Sequence, residues 1–157
     1  MRNNHRVTAI IVTYQNRGHL VRRVVNAALD QNVNKIIIID NASVKESADV
    51  INNMVENHEK IHLIRHELNE GSAGGFHAGL EYVMDHSETD FIWLLDDDNV
   101  PQKNSLTNLF KAYDLVIGEE INQAVLYSYR GNTRALDYKA VTSGIVKDYK
   151  NNNFMGL

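Results

Sequence analysis

Val7-Thr8-Ala9-Ile10-Ile11-Val12 and, some twenty residues on, Lys35-Ile36-Ile37-Ile38-Ile39 are the runs that decide the fold. Each is rich in β-branched residues and of strand length. Each gives way to a polar segment, Thr13-Tyr14-Gln15-Asn16 in one case and Asp40-Asn41-Ala42-Ser43 in the other. A continuous apolar run of this kind belongs to a strand covered on both faces, the situation of parallel sheets. Between the two, Leu20, Val21, Val24, Val25, Ala28 and Leu29 recur at helical spacing, so the three segments make a strand–helix–strand unit. The alternation continues outward. Ser43 to Asn57 places Val50, Ile51, Met54 and Val55 on one helical face, and Ile61 to Ile64 supplies a third strand. Gly75 to Met84 reads as a third helix and Phe91 to Leu95 as a fourth strand. The expected class is α/β. After Pro101 the spacing predicts a helix through Leu106, Leu109 and Phe110, then strands at Ala124 to Tyr129 and Ala140 to Val146.

At 157 residues with 43% hydrophobic content, the chain is expected to form one domain with its own core. A formal net charge of −4 and a pI near 5.9 give no basic surplus for a polyphosphate backbone, which argues against nucleic acid as a partner. The absence of cysteine excludes disulfides, thiolate metal sites and cysteine nucleophiles, and fits a reducing compartment. No apolar stretch approaches the roughly 20 residues of a membrane span. The expected location is cytoplasmic, with a place at the inner face of the membrane left open.

The densest chemical signal is Asp96-Asp97-Asp98, which follows Phe91-Ile92-Trp93-Leu94-Leu95 directly. Adjacent carboxylates repel one another unless a cation neutralises them, and Mg²⁺, Mn²⁺ and Ca²⁺ favour oxygen ligands. In an open α/β sheet, ligands bind beyond the carboxyl ends of the strands, which is where this cluster falls. In a locally extended chain Asp96 and Asp98 point the same way and Asp97 points opposite. The first two are therefore the expected metal pair, with Asp97 directed to a sugar hydroxyl or backbone amides. A solvated turn or a capping carboxylate is the competing account.

Elsewhere the signals are divided. Asp40 can hydrogen-bond turn amides, with Ser43 capping the second helix, or it can meet a base or ribose on the rim. Asn69-Glu70-Gly71-Ser72-Ala73-Gly74-Gly75-Phe76-His77 places glycines ahead of or within the first turn of the third helix, where backbone amides can approach a phosphate; a plain turn fits equally. His58, His62 and His66 recur every fourth residue. That spacing crosses a helix-to-strand junction, so they are expected at the surface rather than around zinc. His77 is either a phosphate contact or a solvent-facing helical residue.

Taken in order, Val7 to Tyr14, Ile39-Asp40-Asn41-Ala42-Ser43, Asn69 to Gly75 and Leu94-Leu95-Asp96-Asp97-Asp98 resemble the inverting family 2 glycosyltransferases, through Pro101. The triple aspartate is most similar to galactofuranosyl and rhamnosyl transferases of surface polysaccharides. The resemblance implies a Rossmann-like, mostly parallel sheet of the A-type nucleotide-diphospho-sugar transferase fold. It also implies a UDP-sugar or dTDP-sugar donor, a saccharide or lipid-linked acceptor, and Mn²⁺ or Mg²⁺. Carried over by motif, Thr13 and Tyr14 line the nucleoside pocket and Asp40 meets the base. Asn69, Gly71, Gly74, Gly75 and His77 flank the donor. Asp96 and Asp97 are expected to contact substrate, and Asp96 and Asp98 to hold the metal. The family's general base has no counterpart in the pattern: Asp137 and Asp148 do not sit in the expected acidic motif. The chain thus resembles the N-terminal donor-binding part of a longer transferase, incomplete at its C-terminus. Two alternatives remain: a non-catalytic sugar-nucleotide binding module, and a sugar-1-phosphate nucleotidyltransferase. The latter usually has a Gly-rich loop after the first strand, whereas Thr13-Tyr14-Gln15-Asn16-Arg17-Gly18 has one glycine.

Overall fold

The computed structural model describes residues 5–116. Four parallel strands, β1 (Val7–Gln15), β2 (Lys35–Ser43), β3 (Ile61–His66) and β4 (Phe91–Asp96), alternate with helices α1 (Gly18–Leu29), α2 (Lys45–Asn57), α3 (Gly71–His86) and α4 (Ser105–Val116). Compact unit 1 runs to Ala112, and all contacts below lie within it. The strands expected at 124–129 and 140–146, together with Asp137 and Asp148, fall outside the described residues.

The sheet order is β3-β2-β1-β4. The chain builds outward from β1 through β2 to β3, then crosses back to lay β4 on the other side of β1. Between β1 and β4 the direction of winding reverses, and such a switch point opens a crevice at the carboxyl ends of the strands.

Strand alternation divides the core in two. Ala9, Ile11, Ile36 and Ile38 join Val21, Val24, Val25 and Ala28 of α1 and Ile51 and Met54 of α2. Ile10, Val12, Ile37 and Ile39 face the opposite way, against Val83 of α3. Ile36 to Ile39 have no exposed surface, and burial of each such side chain contributes about 1.5–3 kcal/mol. Both faces are covered, as the uninterrupted apolar runs require.

The boundaries of three elements differ from expectation, for reasons that matter to the site. First, β1 and β2 run on beyond their apolar segments, because Thr13, Asp40 and Asn41 are buried and their side chains find hydrogen-bond partners in Asp97, Ser43 and Gly71. Second, α3 begins at Gly71 rather than Gly75, so Gly74 and Gly75 lie inside a helix and not in a loop ahead of it. A β-carbon at Gly75 would come within 2.6 Å of Val12 Cγ1, and one at Gly79 within 2.5 Å of Ile10 Cγ2. These glycines let α3 sit close on the sheet.

Candidate functional site

The carboxyl ends of β1 and β4 adjoin, with Val12 in register with Asp96. Strand β4 ends at Asp96, and Asp97 and Asp98 occupy the following turn, with Asn99 N–H bonded to the Asp96 carbonyl at 3.3 Å. Leaving the strand takes Asp97 and Asp98 out of the extended alternation expected for the cluster. Asp97 and Asp98 instead converge on Arg17, the residue just before α1. One guanidinium nitrogen, Nη2, lies 2.9 Å from Asp97 Oδ1 and 2.6 Å from Asp98 Oδ2. The other terminal nitrogen, Nη1, donates to the Tyr14 hydroxyl at 3.1 Å, and the guanidinium carbon stands 5.0 Å from the Tyr14 ring centre.

The two acids are unequal. Asp97 is buried and accepts from Thr13 Oγ1 at 2.8 Å. Burial pushes its carboxyl above the ordinary carboxylate range; the Thr13 bond and the Arg17 charge act against this, while the Asp98 charge adds to it. The Asp98 side chain is 54% exposed. For Arg17, burial favours the neutral form, but bonds to Asp98 and Tyr14 and the charges of Asp97 and Asp98 outweigh it, so the guanidinium is held above its usual value. Thr13 therefore does not line an open pocket. It has no exposed surface and positions Asp97.

Asp40 also departs from expectation. Strand β2 extends three residues past it, to Ser43, and leaves it wholly buried. Its Oδ1 accepts from Ser43 N–H and its Oδ2 from Arg65 Nε, both at 2.8 Å, while Arg65 Nη2 also donates to Asn52 Oδ1. The turn account of Asp40 describes this geometry, and no surface of Asp40 faces a base. Ser43 does not cap α2: Val44 is the N-cap residue, without a side-chain bond. The chain between Asp40 and Ser43 bulges, with Gln15 opposite Ser43, and both Gln15 and Ala42 have positive φ.

The Asn69 to His77 segment is tied to the sheet by Asn41, whose Nδ2 donates to the Gly71 carbonyl at 2.8 Å and whose Oδ1 meets His66 Nδ1 at 2.9 Å. The Asn69 side chain accepts from Gly71 N–H. His77 lies within α3, exposed and 3.5 Å from Glu81, which is the solvent-facing alternative. His62 and His66 are half-buried rather than at the surface; His62 stacks on Tyr82.

A divalent ion needs oxygen ligands, and here the test is the donor set. Among the described residues no three His, Asp or Glu side chains gather as a preformed metal cage. Mg²⁺-type sites, however, commonly use one or two carboxylates together with substrate phosphates and water. Asp96 and Asp98 meet that requirement, and a cation, the Arg17 guanidinium, already stands on Asp98. The residues fit such an ion.

A parallel sheet wound both ways, with carboxylates at the switch point, defines a Rossmann-like architecture. The chain belongs to Glycosyl transferase family 2, whose sequence profile matches residues 8–139. No curated protein matches it significantly. Among solved structures it is similar to the mannosyltransferase PcManGT from Pyrobaculum calidifontis, in complex with GDP-Man and Mn²⁺: TM-score 0.60 and 21% identity, over 71% of this chain and 33% of that one. It is also similar to S. aureus TarS, with TM-score 0.54 and 17% identity over 70% of this chain and 20% of that one. The TarS 1-349 structure gives 0.55 and 16% over 78% and 40%. The chain thus spans a fifth to two-fifths of these structures, and the likeness is one of fold. No helix among the described residues is long and apolar enough to cross a membrane.

Proposed function

We propose that this chain is the donor-binding part of a metal-dependent, inverting glycosyltransferase. It takes a nucleotide-diphosphate sugar and passes the sugar to a saccharide or lipid-linked acceptor in surface polysaccharide synthesis at the cytoplasmic side of a membrane. The observation that carries the reading is the acidic cluster at the β1/β4 switch point, in a chain of this family, facing a single arginine. GDP-Man in PcManGT adds GDP-sugars to the UDP-sugars and dTDP-sugars expected from the motifs. The galactofuranosyl or rhamnosyl specificity rests on the triple aspartate alone.

The chemistry is displacement at the anomeric carbon: the acceptor oxygen bonds to it as the bond to the diphosphate oxygen breaks, and the acceptor proton passes to a base. That base is proposed to lie outside residues 5–116. Asp96 and Asp98 would hold Mn²⁺ or Mg²⁺, which when bound supplies positive charge to the departing diphosphate. Within the chain, Thr13 fixes Asp97 and Asp97 fixes Arg17, so that a guanidinium is held at the rim where an anionic leaving group is expected. Preset charge of this kind is among the larger contributions available to such a reaction.

The test is calorimetry of the chain with UDP-, dTDP- and GDP-sugars, with and without Mn²⁺, alongside assays of donor hydrolysis and transfer to saccharide acceptors. Mn²⁺-dependent donor binding is expected. Transfer or donor hydrolysis would distinguish the enzyme from a sugar-nucleotide binding module, and no donor binding removes the reading altogether.

A further inference from the structure

We propose that Arg17 is a movable counter-ion: it occupies the acidic rim in the free protein and transfers from Asp98 to the donor's diphosphate when nucleotide sugar and cation bind together. The proposal rests on the reading of this rim as a donor site, and it adds a positioning residue that couples the two ligands.

Three features of the arginine point this way. The first is incomplete satisfaction. A guanidinium has five N–H donors in a fixed fork suited to paired anionic oxygens. Here Nη2 alone serves both carboxylates, Nη1 serves Tyr14, and Nε is buried with no acceptor. Nε lies on the same edge of the fork as Nη2, and two phosphate oxygens could engage that edge side by side, as bidentate anions do. The second is the asymmetry of its partners. Asp97 is buried and anchored by Thr13, whereas Asp98 is 54% exposed, and an exposed ion pair is held weakly. Arg17 can pivot about Asp97 and release Asp98. The third is Tyr14, whose hydroxyl and ring both contact the guanidinium and offer it a surface along which to turn.

Electrostatics then sets the coupling. A guanidinium and a divalent cation on one carboxylate repel each other strongly at contact distance, so a metal alone must displace Arg17 without giving it a new partner. A diphosphate supplies that partner. Each ligand thus favours the other, and by linkage the coupling is reciprocal.

The experiment is calorimetry on the 157-residue chain with MnCl₂ alone, with UDP, dTDP and GDP alone, and with each nucleotide plus MnCl₂. It compares wild type, Arg17→Gln and Arg17→Lys, with melting temperature as the check on folding. In Arg17→Gln, Mn²⁺ alone should bind about tenfold tighter and nucleotide about tenfold weaker, and the coupling should fall toward unity. Arg17→Lys keeps the charge and loses the fork, so the block on Mn²⁺ should persist while nucleotide affinity still drops. A purely structural arginine would instead lower both affinities together with the melting temperature, and that result overturns the proposal. So does unchanged Mn²⁺ affinity in Arg17→Gln when wild type binds nucleotide with Mn²⁺; the donor-site reading then survives. If Arg17→Gln does not melt cooperatively, Arg17→Lys decides, and wild-type nucleotide affinity and coupling in it overturn the proposal. Wild-type protein that binds no nucleotide with Mn²⁺ overturns this proposal and the donor-site reading together.

Discussion

Two of the aspartate–arginine pairs toward the carboxyl end of the sheet are built in opposite ways. On β2 and β3, Asp40 pairs with its cross-strand neighbour Arg65 at 2.8 Å, and the acid has no exposed surface. Just beyond β1 and β4, Asp98 pairs with Arg17 at 2.6 Å, and the acid is half-exposed. Distance does not separate them, but access does. Asp40 is committed on both oxygens to the chain's own donors, so a ligand would have to dismantle the β2 bulge to reach it. Asp98 faces solvent at the point where the sheet changes direction, so a ligand need only compete with one guanidinium. A buried ion pair holds structure, whereas an exposed one can be exchanged.

The sharpest way to break the comparison is Asp40→Ala. Removing one partner of a buried pair leaves the other donors stranded, and we expect a loss of about 3 kcal/mol, the low end of the usual range because Arg65 is partly exposed. Urea denaturation measures it. A loss within about 0.5 kcal/mol, the scale of ordinary surface changes, combined with weaker nucleotide binding, would return Asp40 to the base pocket.

Asp98→Ala should do the reverse. Stability should stay within about 0.5 kcal/mol of wild type. Mn²⁺-dependent nucleotide affinity should fall about 100-fold, near 2.7 kcal/mol, because a half-exposed acid is dispensable to the fold and needed for the cation. Calorimetry with and without Mn²⁺ reads this, and unchanged affinity would show that the two pairs do not differ in role.

Asp97 stands between these extremes, and pH separates its part. Its carboxyl is raised chiefly by burial, so the folded chain binds that proton more tightly than the unfolded chain. Its contribution favours folding below the ordinary carboxylate value, near pH 4, and is lost as pH rises through the raised folded value. Asp97→Asn cannot titrate. Its stability relative to wild type should therefore climb across that window and then level off, as followed by urea midpoints at successive pH values. A flat difference would mean that Arg17 and Thr13 fully offset the burial.

The fold was legible because burial on both faces leaves a plain mark: Ile36 to Ile39 can belong to little else than a covered strand. The position of the site was legible as well, since Asp96-Asp97-Asp98 follows such a strand directly. Its wiring was not. Arg17 drew no attention within Thr13-Tyr14-Gln15-Asn16-Arg17-Gly18, although a cation one residue from the first helix, just past the strand that turns out to adjoin the acids, was the available signal. What was lacking was strand order, because only the crossing back to β4 places Arg17 against Asp97. Gly75 was ambiguous for a related reason. A glycine that admits a phosphate and one that admits a strand look alike until the packing of α3 on Val12 and Ile10 is known. Arg65 was hidden in the same way, since its pairing with Asp40 is a matter of register.

The smallest effect tests whether the closed rim stores strain that the open one shares. Ala42, at φ 58°, and Gln15, at φ 49°, lie side by side where β2 bulges against β1. The left-handed region costs a residue with a β-carbon about 1–2 kcal/mol relative to right-handed backbone, and glycine adopts it freely at some cost in unfolded-state entropy. Ala42→Gly should therefore stabilise the chain by about 0.5–1 kcal/mol, with nucleotide and Mn²⁺ affinities unchanged, because the bulge serves Asp40 and not the cation rim. Gln15→Gly should gain a similar amount in thermal melts but also weaken nucleotide binding slightly, since Gln15 directly follows Tyr14, on which Arg17 rests. If both variants leave binding untouched, the two ends of the bulge are equally remote from the site, and the division between a closed and an open rim runs along β4 alone.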